Sequence, residues 1–105
     1  MLVHFTDQNF KTETAKGLTV VDMYADWCGP CKMMAPIYED LAKQYGDKIK
    51  IGKLDVDSDP ETPGQFGVSS IPTIVFLKDG KEIDRLVGFQ SKDTFVQKFG
   101  ELGVK

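Results

Sequence analysis

The two cysteines of the chain are the residues whose type and spacing point most directly to chemistry. Cys28 and Cys31 follow Trp27 and are separated by Gly29-Pro30. Residues three positions apart share one face of a helical turn, and such a turn brings two Cα atoms within the roughly 4.4–6.8 Å that a disulfide requires. The spacing therefore predicts a pair of thiols that can form a disulfide.

The segments on either side of the cysteines place them where one helix begins. Residues 18–25 form an apolar, strand-like run, and a helix-like run begins at about Pro30. The free N–H groups and the positive dipole end of a helix N-terminus stabilise a thiolate, which then becomes a usable nucleophile near neutral pH. We therefore interpret the pair as a reversible dithiol/disulfide.

Three less reactive interpretations of the cysteines compete with this one. A structural disulfide that closes a loop of four residues restricts the unfolded chain by only about 2 kcal/mol. A structural zinc site needs four Cys or His ligands, and the chain has two cysteines and one histidine. Two ordinary buried thiols fit poorly with the turn that the intervening Gly-Pro favours.

Size and composition indicate a globular domain. The chain has 105 residues, which fits one domain over 1–105 with one hydrophobic core. The net charge of −3 and the lack of a basic cluster argue against nucleic acid or an anionic membrane as a partner. Residues 1–4 do not begin a signal peptide or a membrane span, so we expect a cytoplasmic protein. In a reducing cytoplasm, a lone cysteine pair is more often catalytic than structural.

Hydrophobic patterns and turn residues predict nine elements in the order βαβαβαββα. The predicted strands are 2–5, 18–25, 49–56, 73–77 and 81–87, and the predicted helices are 6–14, 30–45, a short one capped by 57–60, and one that starts after Ser91. This alternation is typical of an α/β fold, a mixed sheet with helices on both faces.

Asp22 stands out because it lies in the apolar strand 18–25. A carboxylate buried there is costly unless it is protonated or paired, so burial should raise its pKa. A carboxyl that titrates near neutrality can take a proton from a nearby thiol. A partly exposed aspartate at the strand end is the alternative. Asp26, which is closer to Cys28 in sequence, is interpreted as a surface charge.

Several motifs together make the chain similar to the thioredoxin family over essentially its whole length. The motifs are residues 20–32 with Trp27-Cys28-Gly29-Pro30-Cys31, then Ala35-Pro36, Lys53, Ser70-Ile71-Pro72-Thr73 and Val87-Gly88. The resemblance implies a thioredoxin fold with a central five-stranded mixed sheet of order 1-3-2-4-5 flanked by four helices. It also implies a general protein-disulfide reductase that maintains cellular redox homeostasis. Tyr24 and Phe89 depart from residues common in the family.

The resemblance assigns the chemistry to five positions. Cys28 is expected to be an exposed nucleophile, and Cys31 the less exposed cysteine that resolves the mixed disulfide. Asp22 would deprotonate Cys31, and Lys53 on a neighbouring strand would tune Asp22 electrostatically, with a surface lysine as the alternative. Gly29-Pro30 would tune the redox potential toward reduction, because neither residue places a positive charge beside the thiolate.

A second group of residues is expected to bind substrate. The resemblance implies a cis bond before Pro72, packed against the disulfide, and the backbone of Ile71 would pair with an extended substrate segment. Trp27, Gly88 and Phe89 would complete an apolar rim together with Gly29 and Pro30. Core packing is the alternative interpretation of Trp27 and Phe89.

The resemblance also implies the protein's partners. The expected partners are disulfide-bearing proteins and a thioredoxin reductase, and the protein is expected to be a monomer without metal or any cofactor beyond its disulfide. An oxidant or isomerase of the same fold would favour a histidine or a charged residue between the cysteines and a secretory signal. A non-catalytic binding module, the third possibility, would use the docking surface alone.

Overall fold

A computed structural model describes residues 2–104 and contains a five-stranded mixed sheet with helices on both faces. The strands are β1 (Val3–His4), β2 (Leu18–Tyr24), β3 (Lys50–Asp55), β4 (Thr73–Lys78) and β5 (Lys81–Val87), and the helices are α1 (Phe10–Glu13), α2 (Gly29–Tyr45), α3 (Glu61–Gln65) and α4 (Lys92–Glu101). The order across the sheet is β1-β3-β2-β4-β5, with β1, β3 and β2 parallel and β4 and β5 antiparallel. The predicted α/β fold and strand order are confirmed.

The central strand β2 is buried on both faces, which explains its almost continuous apolar sequence. Val20 and Asp22 point toward α2 and α4, and Val20 belongs to the larger apolar cluster there. Val21 and Met23 point to the opposite face, into a second cluster that includes Phe10 of α1. We call these the α2 face and the α1 face of the sheet.

Helix α2 packs along the α2 face through a stripe of side chains at helical spacing. Its buried residues are Cys31, Met34, Tyr38, Leu41 and Ala42. Because the stripe begins with Cys31, packing of the helix brings this cysteine to the sheet. No helix within residues 2–104 is long and apolar enough to cross a bilayer.

The predicted start of the first helix is wrong, because its cap serves another element. The pattern predicted a helix from residues 6–7, but α1 begins three residues later. The Asp7 carboxylate instead accepts hydrogen bonds from the backbone N–H of Thr62 (2.9 Å) and from its hydroxyl (2.7 Å). The N–H of Asp7 donates to Asp59, one of the residues predicted to cap α3. Asp7 and Asp59 therefore join the loop before α1 to α3.

Candidate active site

The chain turns from β2 into α2, and the two cysteines lie at this turn. Cys28 is the N-cap residue of α2, with an extended backbone (φ −86°, ψ 113°). It forms a disulfide with Cys31 across a Cα–Cα distance of 5.2 Å. The Cys28 Sγ accepts a hydrogen bond from the Cys31 N–H (3.2 Å). Gly29-Pro30, the residues between them, add no acidic group to oppose the helix dipole. The turn thus favours negative charge on the Cys28 sulfur.

Cys28 is as buried as Cys31, and the expectation that it would be the exposed cysteine is wrong. Each retains 4% of its accessible surface, and both pack with Ala25 and Tyr24. The Ile71 carbonyl oxygen lies 3.8 Å from the Cys28 Sγ and covers it from the other side. The cysteines in this disulfide therefore differ in position and not in exposure: Cys28 caps the helix, and Cys31 lies one turn inside it.

Asp22 is buried on the α2 face, as expected, and the partly exposed alternative is wrong. Its Oδ1 atom has no hydrogen-bond partner among residues 2–104. Burial raises the pKa of Asp22 from 3.8 to about 7, against the opposing attraction of the Lys53 charge. The carboxyl can therefore both bind and release a proton near neutral pH.

A cavity of about 350 Å³ adjoins this carboxyl, and we call it the Asp22 cavity. Of the two cysteines, Cys31 lines it, together with Tyr38 and Lys53. A proton can therefore pass between the Cys31 thiol and the Asp22 carboxyl within a single enclosed space.

Lys53 lies directly beside Asp22 in the parallel register of β2 and β3. Its Nζ atom stands 4.7 Å from the centre of the Tyr24 ring, a cation–π contact. The ring therefore orients the ammonium group next to the cavity, which is more than a free surface lysine would show. Sequence analysis noted Tyr24 only as a departure from the family.

The loop before β4 lies against the disulfide. The Ile71–Pro72 peptide bond is cis, as the resemblance implied, and Pro72 is buried. The Pro72 carbonyl accepts a hydrogen bond from the N–H of Gly88 (2.8 Å). Gly88 adopts a left-handed conformation (φ 87°) that favours glycine. Gly88 thus anchors this loop to the end of β5.

The expected apolar rim is exposed around the cysteine turn. Trp27 and Phe89 retain 69% and 43% of their accessible surface, so the core-packing alternative is wrong for both. The Trp27 Nε1–H donates to the Asp57 Oδ2 (2.8 Å). Sequence analysis assigned Asp57 to a helix cap and missed this contact. Asp26 is exposed, as expected.

Within residues 2–104, no three His, Cys, Asp or Glu side chains form a group that could hold a metal ion. The acidic and sulfur-bearing groups of the site are instead arranged for proton and thiol chemistry: Asp22 and Cys31 share a cavity, and Cys28 is bonded to Cys31.

Comparison with known proteins identifies close relatives of the chain. A family model described as Thioredoxin matches residues 1–101. The chain is 51% identical to the thioredoxin of Bacillus subtilis over 92 residues, which cover 88% of each protein. It is 46% identical to that of Listeria monocytogenes over 93 residues, or 89% of this chain and 90% of the relative. It is 48% identical to that of Staphylococcus saprophyticus over 96 residues, or 91% and 92%.

Proposed function

This chain belongs to the thioredoxin family, and on that premise we propose how its residues divide the work of a protein-disulfide reductase. Members of the family are thiol-disulfide oxidoreductases, and this protein reduces disulfides in other proteins through its Cys28–Cys31 pair. The observation that carries the proposal is the position of this disulfide, which joins a helix N-cap to the wall of the Asp22 cavity.

Cys28 begins the reaction in the reduced protein. Its thiolate attacks one sulfur of the substrate disulfide, forms a mixed disulfide with that sulfur, and expels the other as a thiolate, which takes up a proton. The N–H of Cys31, which donates to the Cys28 Sγ, and the N-terminal end of α2 support the charge on the attacking sulfur.

Cys31 completes the reaction with the help of Asp22. The Asp22 carboxylate takes the Cys31 proton, and the new thiolate attacks the Cys28 sulfur. The mixed disulfide breaks, the second substrate sulfur leaves with its electron pair and is protonated, and the Cys28–Cys31 disulfide forms. The substrate has gained two electrons and two protons. A base whose pKa is about 7 suits this transfer, because it exchanges protons at neutral pH.

Two further groups tune this chemistry. The Lys53 charge favours the ionised form of Asp22, and so keeps the pKa of this buried acid from rising further. Gly29-Pro30 lies exposed between the cysteines and adds no positive side chain that would stabilise the reduced form. The pair is then the better reductant.

The substrate binds over the rim and the loop before β4. Trp27 and Phe89 offer exposed apolar surface on either side of Ile71 and Gly88, and an extended segment would pair with the Ile71 backbone above Pro72. Because Cys28 is only slightly exposed, a thin, extended segment reaches it more readily than a folded surface does.

The protein works with macromolecular partners in this proposal. A thioredoxin reductase returns the disulfide to the dithiol, and the substrates are proteins that carry disulfides. The redox-active disulfide is the only cofactor. The protein acts as a monomeric single domain in the cytoplasm, where reduced thiols are maintained.

Two single-cysteine variants test the division of roles. With insulin as substrate and dithiothreitol as electron donor, both Cys28→Ser and Cys31→Ser should lose turnover. Only Cys31→Ser should accumulate a mixed disulfide that mass spectrometry detects, because it retains the nucleophile and lacks the resolving thiol. A Met33→Ala variant is the matched control, since Met33 is exposed on α2 and takes no part in the thiol exchange.

The opposite pattern, with the mixed disulfide trapped on Cys28→Ser, would reverse the assignment of the two cysteines. Substrate capture by the wild-type protein without any turnover would instead favour a non-catalytic binding module.

A further inference from the structure

A buried tyrosine joins the parts of the site. The Tyr38 hydroxyl on α2 lies 2.7 Å from the Gly52 carbonyl oxygen and 3.1 Å from that of Val20. The side chain is almost completely buried, and its ring packs against Phe95 (centroids 5.9 Å apart). A phenol has one proton to donate, so the two carbonyls share a single donor.

These two carbonyls belong to the backbone segments that carry the proton-exchanging groups. Val20 precedes Asp22 by two residues on β2, and Gly52 directly precedes Lys53 on β3. On α2, Tyr38 lies two turns after Cys31, in the same buried stripe. The ring also forms part of the wall of the Asp22 cavity. One hydroxyl therefore ties the helix of the resolving cysteine to both strands below it.

We propose that Tyr38 is a positioning residue for the resolving step, which fixes Cys31 and Asp22 across the cavity and sets the environment in which Asp22 ionises. The inference rests on the role proposed for Asp22. The Tyr38 ring fills the core as any large apolar side chain would, and the proposal concerns the hydroxyl alone.

The hydroxyl affects Asp22 through the two carbonyls. Burial raises the pKa of Tyr38 well above its ordinary value, so the phenol stays protonated and remains a donor. Without it, the Val20 and Gly52 carbonyl dipoles lose their donor close to the carboxylate, and the cavity loses a polar atom. Both changes disfavour the ionised form of Asp22.

Other charged and titratable groups face the same cavity, and the test must hold them constant. Besides Asp22, Tyr38 and Cys31, they are Tyr24, Asp26, Lys32, Glu39 and Lys53. Replacement of Tyr38 by phenylalanine leaves all of them in place, so a change in the titration of Asp22 reports the lost hydroxyl.

The experiment follows the Asp22 carboxyl by carbon NMR across pH 4–10 in oxidised wild-type protein and in Tyr38→Phe. We expect its midpoint to rise by about half a pH unit, the size of one weak hydrogen bond. The pH profile of mixed-disulfide resolution should shift upward in parallel. Tyr45→Phe is the control, because Tyr45 lies on the same helix but packs against Phe99, away from the cavity.

Three results would overturn the inference. One is an Asp22 midpoint in Tyr38→Phe that is unchanged or lower, even where the variant is less stable, because lost packing alone lowers stability without this shift. Another is an equal effect of Tyr38→Phe on the resolution rate in an Asp22→Asn background, since the effect would then bypass the carboxyl. The third needs no variant: Tyr38 ring resonances of the wild-type protein that ignore the Asp22 titration.

This design separates the two claims. A normal resolution rate in Asp22→Asn would reject the role proposed for Asp22, whereas the NMR midpoint in Tyr38→Phe reports the effect of the hydroxyl whether or not Asp22 acts as the base.

Discussion

The two faces of the central strand β2 differ in what they contain. On the α1 face, Val21 and Met23 are fully buried in an apolar cluster. Phe10 of this cluster makes edge-to-face contacts with Phe5 and Phe66 at centroid distances of 5.7 and 5.6 Å. On the α2 face, the same strand carries a buried carboxyl beside a cavity of about 350 Å³. One face is closely packed, and the other is not.

This contrast shows where the protein gives up stability for chemistry. A cavity and a carboxyl without a hydrogen-bond partner both cost folding free energy. They occur beside Cys31, where the resolving step needs a proton acceptor. The α1 face has no such task and is filled by aromatic and aliphatic side chains. Substitutions on the two faces should therefore have different kinds of effect.

The largest expected effect is that of Asp22→Asn on stability. The pKa of Asp22 is raised from 3.8 in the unfolded chain to about 7 in the folded protein, so the folded state binds more protons between these values. Its stability therefore falls as pH rises from about 4 to about 7 and changes little above that. This loss amounts to roughly 4 kcal/mol, which the asparagine variant should avoid.

Urea unfolding of both oxidised proteins at pH 4.5 and pH 8.5 measures this difference. Asp26→Asn, which removes an exposed carboxylate from the rim of the same cavity, is the control. The same Asp22→Asn variant should resolve mixed disulfides more slowly. Equal pH dependence in wild type and Asp22→Asn would show that Asp22 does not ionise at a cost.

A comparable loss without chemical consequence is expected from Leu54→Ala on the α1 face. Leu54 is fully buried, and truncation should lower the free energy of unfolding by about 2–5 kcal/mol. The pKa of Asp22 and the turnover of the folded variant should stay at the wild-type values. Denaturant unfolding and an insulin-reduction assay at 25 °C check both halves. A shift in the Asp22 titration would show that the faces are coupled.

A smaller effect is expected from Lys53→Met on the α2 face. Loss of the positive charge removes the interaction that favours ionised Asp22, so the pKa of Asp22 should rise above 7, by about half a unit to one unit. Carbon NMR of the carboxyl measures the shift. The control is Lys50→Met, because Lys50 also lies on β3 but pairs with Glu13. A lower pKa in Lys53→Met would contradict the proposed tuning.

The smallest effect is expected at the rim, from Asp57→Ala. The Trp27 side chain would lose the acceptor of its indole N–H but keep its exposed position. We expect KM for insulin to rise by about two- to fivefold with kcat unchanged, the size of one exposed hydrogen bond. Ser58→Ala is the neighbouring control. A fall in kcat would place Asp57 in the chemistry instead of in substrate docking.

Local patterns were sufficient to predict the elements that hold the site. The apolar run of β2, the stripe along α2 and the cysteine spacing are each contained within one segment, so one carboxyl in an apolar strand was conspicuous at Asp22. The strand order and the cis bond before Pro72 came from family resemblance, because neither follows from local sequence alone.

The features that the sequence did not predict depend on contacts between distant segments. Cys28 is buried because Ile71, 43 residues away, covers it. Asp57 reaches Trp27 across 30 residues, and Asp7 binds α3 across 55. Tyr38 was interpreted as one more apolar position in a helix, although its hydroxyl, the polar atom of that stripe, needs a partner in the core.

The most direct test of the central claim is the titration of the Asp22 carboxyl in the wild-type, oxidised protein. Carbon NMR of selectively labelled aspartate, assigned by comparison with Asp22→Asn, gives its midpoint without reference to any activity. A midpoint at about pH 7 is the predicted result, because a buried carboxyl beside Cys31 is then poised to exchange protons. A midpoint near the ordinary aspartate value of about 4 would contradict the account, since Asp22 would then be a solvated charge with no means of serving the resolving thiol.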